Sequence, residues 1–572
     1  MKRSGILLLA VLFFAISIYS YTQEADVSDT GDDIQSKKVN EKLLKKKAKP
    51  PQIIVKKGFE IEKPKVSLPG ATVLIKKIKV DKVTLLSKEE VNKIITPYEN
   101  KNLSLKDMQA VAKEITNLYR KRGYITSGAY IPIQDFKDGV LRIKIIEGVT
   151  GKIKIEGLRY FKAFIIRRKI TLKKGRPFNV NMLRRDLFRI SKHPDRKASA
   201  VITPGEKIGI TNITVRIKDR PPYHVLLMFD NYGNPHTLYN RYKTYFIFNN
   251  ITGHDDKLSS KVQKGEARTQ NINDVDYVLP ITSTLKFEGY YLRKMEDYAA
   301  GEQDSDMWKK AHKFILTLTQ TLIEEENKEL SVYTGFTSKN SYMWQYGKDL
   351  CRDRLREIML GFAFSMDDRF GKTVVTDDIL FGIPNYMGSL GNKDDRAFFL
   401  GGGGKYVTSR ITIARRNKMF LGMQFLFKSK VQFSSHVLEG VDQFAIGGIG
   451  GVVDNRGYTR ATVLGDTGTS ITVGIAFPPY FVSKRIRVPF SKANLYNALK
   501  LFIFYDWGRA VLKSPYAGRE KSRGLKSIGC GFRMNLPEGF SLRVDLGWPL
   551  SIMPRDGDHF HKWIGVSKDF HF

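Results

Sequence analysis

The residues able to carry catalysis or hold a cofactor are few and poorly spaced for either task. Cys351 and Cys530 lie far apart with no His pair beside them, so zinc-type spacing is absent and at most one disulfide can form. The nine histidines are scattered, and neither a Gly-x-Ser-x-Gly elbow nor a His-Glu-x-x-His pair occurs. Gly401-Gly402-Gly403-Gly404-Lys405 has Phe399 where a phosphate loop needs its first glycine, and Tyr406 follows the lysine in place of Ser or Thr. Gly447-Gly448-Ile449-Gly450-Gly451 lacks dinucleotide spacing and does not open a helix. The chain is read as a non-enzyme with no metal and no cofactor, whose polar residues serve binding and structure.

The elements that would position such residues fall into distinct regions. Lys2 and Arg3 precede an apolar run over 6–18, and Ser20 and a polar stretch follow it, the pattern of a cleaved signal peptide over 1–20. No later run approaches the roughly 18 apolar residues of a membrane-spanning helix. Residues 21–70 form a Lys/Pro-rich segment with one candidate helix over 33–47. Fourteen Lys and three Glu fall between 37 and 79, a large part of the overall excess of 95 Lys+Arg over 58 Asp+Glu. A solvated basic linker explains that excess as well as a polyanion does, so no nucleic-acid partner is assigned.

Residues 71–148 read as β-α-α-β-β. Ser87-Lys88-Glu89-Glu90 makes a capping box, and Leu105, Met108, Val111, Ala112, Ile115, Leu118 and Tyr119 mark the buried face of a helix that stops at Gly123. The same order recurs over 149–219. These are tandem modules repeated in structure, not in residue identity.

From 220 to 572 the pattern changes to alternating segments separated by polar or Gly-rich stretches. The 353 residues would supply roughly 16 strands of a transmembrane barrel. Ile564, Val566, Phe570 and the terminal Phe572 share one face of a last strand that finishes in an aromatic residue. In a barrel, Leu501, Ile503, Tyr505 and Trp507 would face lipid, while Phe502, Phe504, Asp506 and Gly508 would face the lumen. A carboxylate in that position requires a partner.

The β-α-α-β-β order, with Tyr119-Arg120-Lys121-Arg122-Gly123-Tyr124 at the helix exit, resembles POTRA domains, the periplasmic modules that precede outer-membrane insertases and transporters. Gln443 to Gly448, followed by Val453-Asp454-Asn455-Arg456-Gly457-Tyr458, resembles the inward-folded loop of two-partner secretion transporters, the TpsB family, with Asn455 at a usually apolar position. Phe504-Tyr505-Asp506-Trp507-Gly508 resembles that family's Phe-x-Asp-x-Gly strand. Asp276 to Pro280 and Val544 to Pro549 resemble its early hairpin and penultimate strand.

The resemblance implies an all-β outer-membrane barrel over 220–572 with a loop folded inward around 443–468, preceded by two α+β POTRA modules in the periplasm. It further implies that Arg456 pairs with Asp506, that Gly457 permits a tight tip, and that Tyr458 packs beside it. Phe504 and Gly508 would complete the strand motif, Phe570 and Phe572 would form the signal read by the barrel-assembly machinery, and 33–47 would plug the lumen or remain linker. The implied function is nucleotide-independent export of a large unfolded exoprotein, a haemolysin or an adhesin, across the outer-membrane lipid. An insertase of the same superfamily and a soluble basic binding protein are the alternatives.

Overall fold

A computed structural model describes residues 51–56, 72–136, 138–233, 238–266, 270–297, 307–394, 397, 402–449, 454–515, 520–554 and 557–571. The expected signal peptide, the candidate plug helix, Val453 and Phe572 lie outside these residues. The chain divides into two compact units, one spanning 48–221 and the other containing 222–572.

The first unit contains β1 (Ile53–Val55), β2 (Thr72–Ile75), β3 (Lys77–Asp81), α1 (Lys88–Ile95), β4 (Lys101–Ser104), α2 (Leu105–Lys121), β5 (Gly128–Tyr130) and β6 (Val140–Ile146). It continues through β7 (Val149–Glu156), α3 (Ala163–Lys169), α4 (Val180–Ser191), β8 (Arg196–Pro204) and β9 (Ile210–Asp219). Both helices of the first module start at reciprocal caps, Ser87 with Glu90 and Ser104 with Asp107, which satisfy backbone N–H groups that lack helical partners. Beyond α2, Gly123 adopts φ 92°, a left-handed exit that glycine reaches at no steric cost. Met108, Val111, Ala112, Ile115 and Tyr119 bury one face of α2 against Leu141 and Ile143, which alternate inward along β6.

Glu147 secures the end of this module. Its carboxylate accepts from Thr84 N at 2.8 Å, Leu85 N at 3.0 Å, the Tyr119 hydroxyl at 2.8 Å, and Thr84 Oγ1. The second module has the expected β-α-α-β-β order as β7-α3-α4-β8-β9, whereas the first departs from it by placing β4, paired with β2, between α1 and α2. Residues 53–55, expected to be linker, instead form β1 at the edge of its sheet, which runs β1-β8-β9-β7. β1 pairs parallel to β8, with Ala200 N donating to Gln52 O and Lys56 N to Ile202 O, both at 3.0 Å. Ile53-Ile54-Val55 is a short β-branched run that favours a strand, but Pro50-Pro51 and the flanking lysines obscured it.

The second unit is a closed antiparallel barrel. Its strands are β10 (Tyr223–Asp230), β11 (Arg241–Asn249), β12 (Lys257–Gly265), β13 (Gln270–Pro280), β14 (Leu285–Asp297), β15 (Met307–Glu324), β16 (Lys328–Gln345) and β17 (Lys348–Asp367). They continue with β18 (Gly371–Gly382), β19 (Val407–Lys418) and β20 (Gln424–Ser434). A short pair, β21 (Phe444–Ile446) with β22 (Val463–Gly465), stands apart from the wall, which resumes with β23 (Thr467–Phe477), α5 (Leu495–Ala498) and β24 (Leu499–Val511). β25 (Ser522–Asn535), β26 (Phe540–Pro549) and β27 (His561–His571) complete it. β10 pairs with β27 from His224↔His571 to Asp230↔Gly565, closing a barrel of 16 strands and leaving no open edge.

The burial pattern inverts that of a water-soluble protein. Leu227, Phe246, Phe314, Leu360, Ile413 and Ile503 point outward and exposed, whereas Lys261, Gln263, Thr317, Glu357, Thr412 and Asp506 point inward and buried. An apolar outside around a polar interior suits a wall bathed in lipid. Among the described residues no helix is long and apolar enough to cross a membrane.

Candidate functional site

β20 ends at Ser434 and β23 begins at Thr467. Between them the chain turns into the barrel interior and forms the β21–β22 hairpin. Gly447 at φ 113° and Gly448 at φ 80° redirect it beyond β21, and Gly448 and Asn455 exchange backbone hydrogen bonds of 2.9 and 2.8 Å. This brings the next residue, Arg456, against the wall.

Arg456 is 1 % exposed and Asp506, on β24, is fully buried. The guanidinium donates from Nε to Asp506 Oδ2 at 2.9 Å and from Nη2 to Oδ1 at 2.7 Å, and the Arg456 backbone N donates to Oδ2 at 3.1 Å. Thr472 on β23 donates its hydroxyl to Oδ1 at 2.8 Å. Two parallel N–H···O bonds fix both separation and orientation, which a point-charge contact cannot do.

The remaining members of the strand motif serve the same loop. The guanidinium carbon lies 3.2 Å from the centre of the Phe504 ring, a cation–π contact sheltered from water. A Cβ at Gly508 would stand 2.9 Å from Ile446 Cγ2, so the hairpin packs where only glycine leaves room. Phe504, Asp506 and Gly508 face inward because a strand repeats every two residues. Gly457 is constrained by space as well: a Cβ there would meet Ser527 Cβ at 2.6 Å and the Pro549 backbone N at 2.8 Å. Its φ is not positive, so packing against β25 and β26, not a left-handed turn, demands glycine. Tyr458 is fully buried, with its hydroxyl donating to Lys526 O at 3.2 Å and contacting Ser551 Oγ at 2.7 Å. Asn455 uses its amide, donating to Leu525 O and accepting from Ser527 Oγ.

The sequence and the fold both resemble known proteins. The family model described as haemolysin secretion/activation protein ShlB/FhaC/HecB matches residues 209–534, more than half of the 572-residue chain. The chain belongs to this family. The model described as POTRA domain, ShlB-type, matches 73–148. The heme/hemopexin transporter protein HuxB of Haemophilus influenzae is 23% identical over 501 residues, 84% of each chain. Among solved structures, CdiB from Escherichia coli superposes with a TM-score of 0.68 at 17% identity, covering 89% of this chain and 93% of that one. CdiB from Acinetobacter baumannii gives 0.61 at 16%, covering 99% and 97%. The protein is a two-partner secretion transporter of the outer membrane with POTRA modules in the periplasm.

Several residues of the transporter's site carried no recognised role in the sequence. Asp545, in the penultimate-strand motif, takes Arg533 at 2.8 Å and Arg543 at 2.7 Å, and lies 3.8 Å from Arg456 Nη1. Arg543 also holds Asp454 at 3.1 Å, and Trp563 Nε1 donates to Arg456 O at 2.8 Å. Three arginines thus interleave with three aspartates around the tip, which suits charges removed from water.

A second cluster holds the loop's stem. Asp442 is 1 % exposed, ion-paired with Lys339 on β16 and with Arg410 on β19 at 2.8 Å, and within 3.2 Å of the Tyr406 hydroxyl. Lys339 also reaches Glu357 on β17 at 2.8 Å, and Gln432 on β20 donates to Asp442 O at 2.9 Å. The transporter therefore grips its inward loop at the tip through β23–β27 and at the stem through β16–β20.

Phe570 lies elsewhere. It is on the outward face of β27, 36 % exposed, with the Lys568 ammonium 5.6 Å from its ring centre.

Proposed function

We propose that the inward loop is the moving or guiding part of the conduit and that the Arg456–Asp506 pair sets its resting position. The observation that carries this reading is the bidentate contact at 2.9 and 2.7 Å between two fully buried charges. In a hydrated lumen such a pair would contribute about 1 to 3 kcal/mol. Here removal of one partner leaves the other buried without its bidentate contact, a cost of about 3 to 5 kcal/mol. The tip leaves its seat only when an incoming chain supplies replacement partners, so the loop stays docked between transits.

The modules over 71–148 and 149–219 receive the unfolded exoprotein by adding it as a strand to a sheet edge, where main-chain bonds give affinity without demanding a sequence. The β8 edge already carries β1, so a client uses another edge or displaces that strand. Export proceeds without enzymatic chemistry. The sequence contains no phosphate-loop or dinucleotide fingerprint, and folding of the client outside supplies the bias by preventing return. The basic periplasmic portion favours an acidic client through electrostatic steering. Phe570 and Phe572 serve recognition by the assembly machinery, and the barrel's outward face binds membrane lipid.

Coexpression with the exoprotein tests the reading. Arg456→Ala should reduce secreted exoprotein at least tenfold while the barrel still shows heat-modifiable migration. Undiminished export by a correctly inserted variant would remove the loop from the mechanism.

A further inference from the structure

One turn of the barrel is built unlike its neighbours. The chain enters β10 at Tyr223 directly from the periplasmic modules, so the strand ends near Tyr223 face the periplasm. The turns at that end are short, none longer than 250–256, except the one joining β23 to β24 over 478–498. This turn exposes Phe481 at 80 %, Phe490 at 77 % and Ile486 at 48 %, and on the adjacent turn Leu421 is 72 % exposed. Lys484, Arg485, Arg487 and Lys492 are exposed among them, and 478–498 contains no acidic residue.

The turn is internally bonded, so the apolar side chains are not held out by slack. Val488 N donates to Ala493 O at 3.0 Å and Leu495 N to Ile486 O at 2.8 Å. Glu538, from the turn between β25 and β26, accepts from Ser491 Oγ at 2.7 Å and Lys492 N at 3.0 Å. The turn also continues the lipid-facing surface: Phe477, on the outward parity of β23, stacks on Tyr480, with ring centres 6.5 Å apart at 11°. The Tyr480 hydroxyl donates to Leu421 O at 3.0 Å, joining the two turns.

Large apolar side chains beside four cations, at the end of lipid-facing strands, match the chemistry of a bilayer interface. There the rings enter the acyl boundary and the cations meet phosphate. We infer that the 478–498 turn, with Leu421, is a binding site for anionic phospholipid headgroups of the periplasmic leaflet, anchoring the barrel on its β20–β24 side. An acidic client segment would answer the charges but would not account for the continuity with the lipid-facing stack.

The full-length protein in lipid nanodiscs provides the test. Phe481→Trp places an indole on the turn, and its emission above that of the parent is followed with lipids brominated in the upper acyl chain. Phosphatidylglycerol should quench it at least about twofold more than phosphatidylcholine at equal mole fraction. Replacing Lys484, Arg485, Arg487 and Lys492 together by Gln should equalise the two lipids. Phe490→Trp serves as a second reporter should the first variant fail to insert. Absence of quenching by either lipid would place the turn away from the bilayer and overturn the site. Equal quenching of the reporter by the two lipids with the four cations intact, or a preference that survives their replacement, would overturn its headgroup chemistry. Export is not the readout, so failure here leaves the loop mechanism standing.

Discussion

Asp506 receives three hydrogen bonds from Arg456, two from the guanidinium and one from the backbone N–H, and a fourth from Thr472. The carboxylate therefore recognises main chain as well as charge. Reversing both residues, Arg456→Asp with Asp506→Arg, would restore an opposite pair in formal terms only. A guanidinium at 506 cannot accept from the backbone N–H or from Thr472, and a carboxylate at 456 would face Asp545 and Asp454. The double reversal should export no better than either single reversal, measured as secreted exoprotein per inserted barrel. Recovery above about half of the parental level would reduce the contact to simple charge pairing.

Gly508 and Ile446 should behave as a space-sharing pair. Gly508→Ala places a methyl 2.9 Å from Ile446 Cγ2 and should lower export severalfold, since the hairpin stem must shift by a few tenths of an ångström. Adding Ile446→Ala should restore much of the loss. Additive losses in the double variant, scored in the same secretion assay, would separate the two residues.

The Asp442 cluster predicts a stem phenotype distinct from that of the tip. Asp442→Ala leaves Lys339 beside Glu357 and frees the stem, while Arg456 keeps its seat on Asp506. Limited proteolysis should cut within 435–444 at least about fivefold faster than in the parent, with heat-modifiable migration unchanged. An unchanged cleavage rate would show that Asp442 does not hold the stem.

Two carboxylates of the periplasmic modules should give opposite pH signatures. Burial pushes the Glu147 carboxyl up, but hydrogen bonds from Thr84, Tyr119 and Leu85 outweigh it and hold the group below the ordinary glutamate value of 4.5. Its contribution is fully present above about pH 4.5 and is lost as pH falls through the lower folded value. Burial dominates at Asp186, raising it above 3.8 despite the Thr171 hydrogen bonds, so its contribution is present below about pH 3.8 and is lost as pH rises through the folded value. Thermal melting of the periplasmic region should show Glu147→Gln most destabilising near neutrality and converging on the parent in acid. Asp186→Asn should gain on the parent as pH rises. Parallel curves for both variants would contradict the assignment.

Much of this architecture was legible in the sequence, because local rules decide it. The cap at Ser87, the apolar face of α2 that follows Ser104 and the two-residue period that sets Asp506 on the inward face of β24 are short-range signals that tertiary contacts reinforce. The Arg456–Asp506 contact was legible only through family resemblance, since 50 residues separate the two and no periodicity links them. Asp442 with Lys339 and Arg410 was not legible, because inward-facing charges are ordinary in a barrel and the path of the loop decides which of them meet. Arg533 and Arg543 stayed hidden for the same reason. The basic turn over 478–498 contributed to the chain's cationic excess but was indistinguishable from a solvated loop until its position at the end of lipid-facing strands was known.

The central claim is that export depends on the docked tip, and a double-variant cycle at its two charges addresses it most directly. Secreted exoprotein is measured for Arg456→Ala, Asp506→Ala and the combined variant, normalised to heat-modifiable barrel in the outer membrane. The account predicts that each single variant falls at least tenfold and that the combined variant falls no further, because both remove one shared contact. Parental export by either single variant, or a combined loss equal to the product of the two, would contradict it.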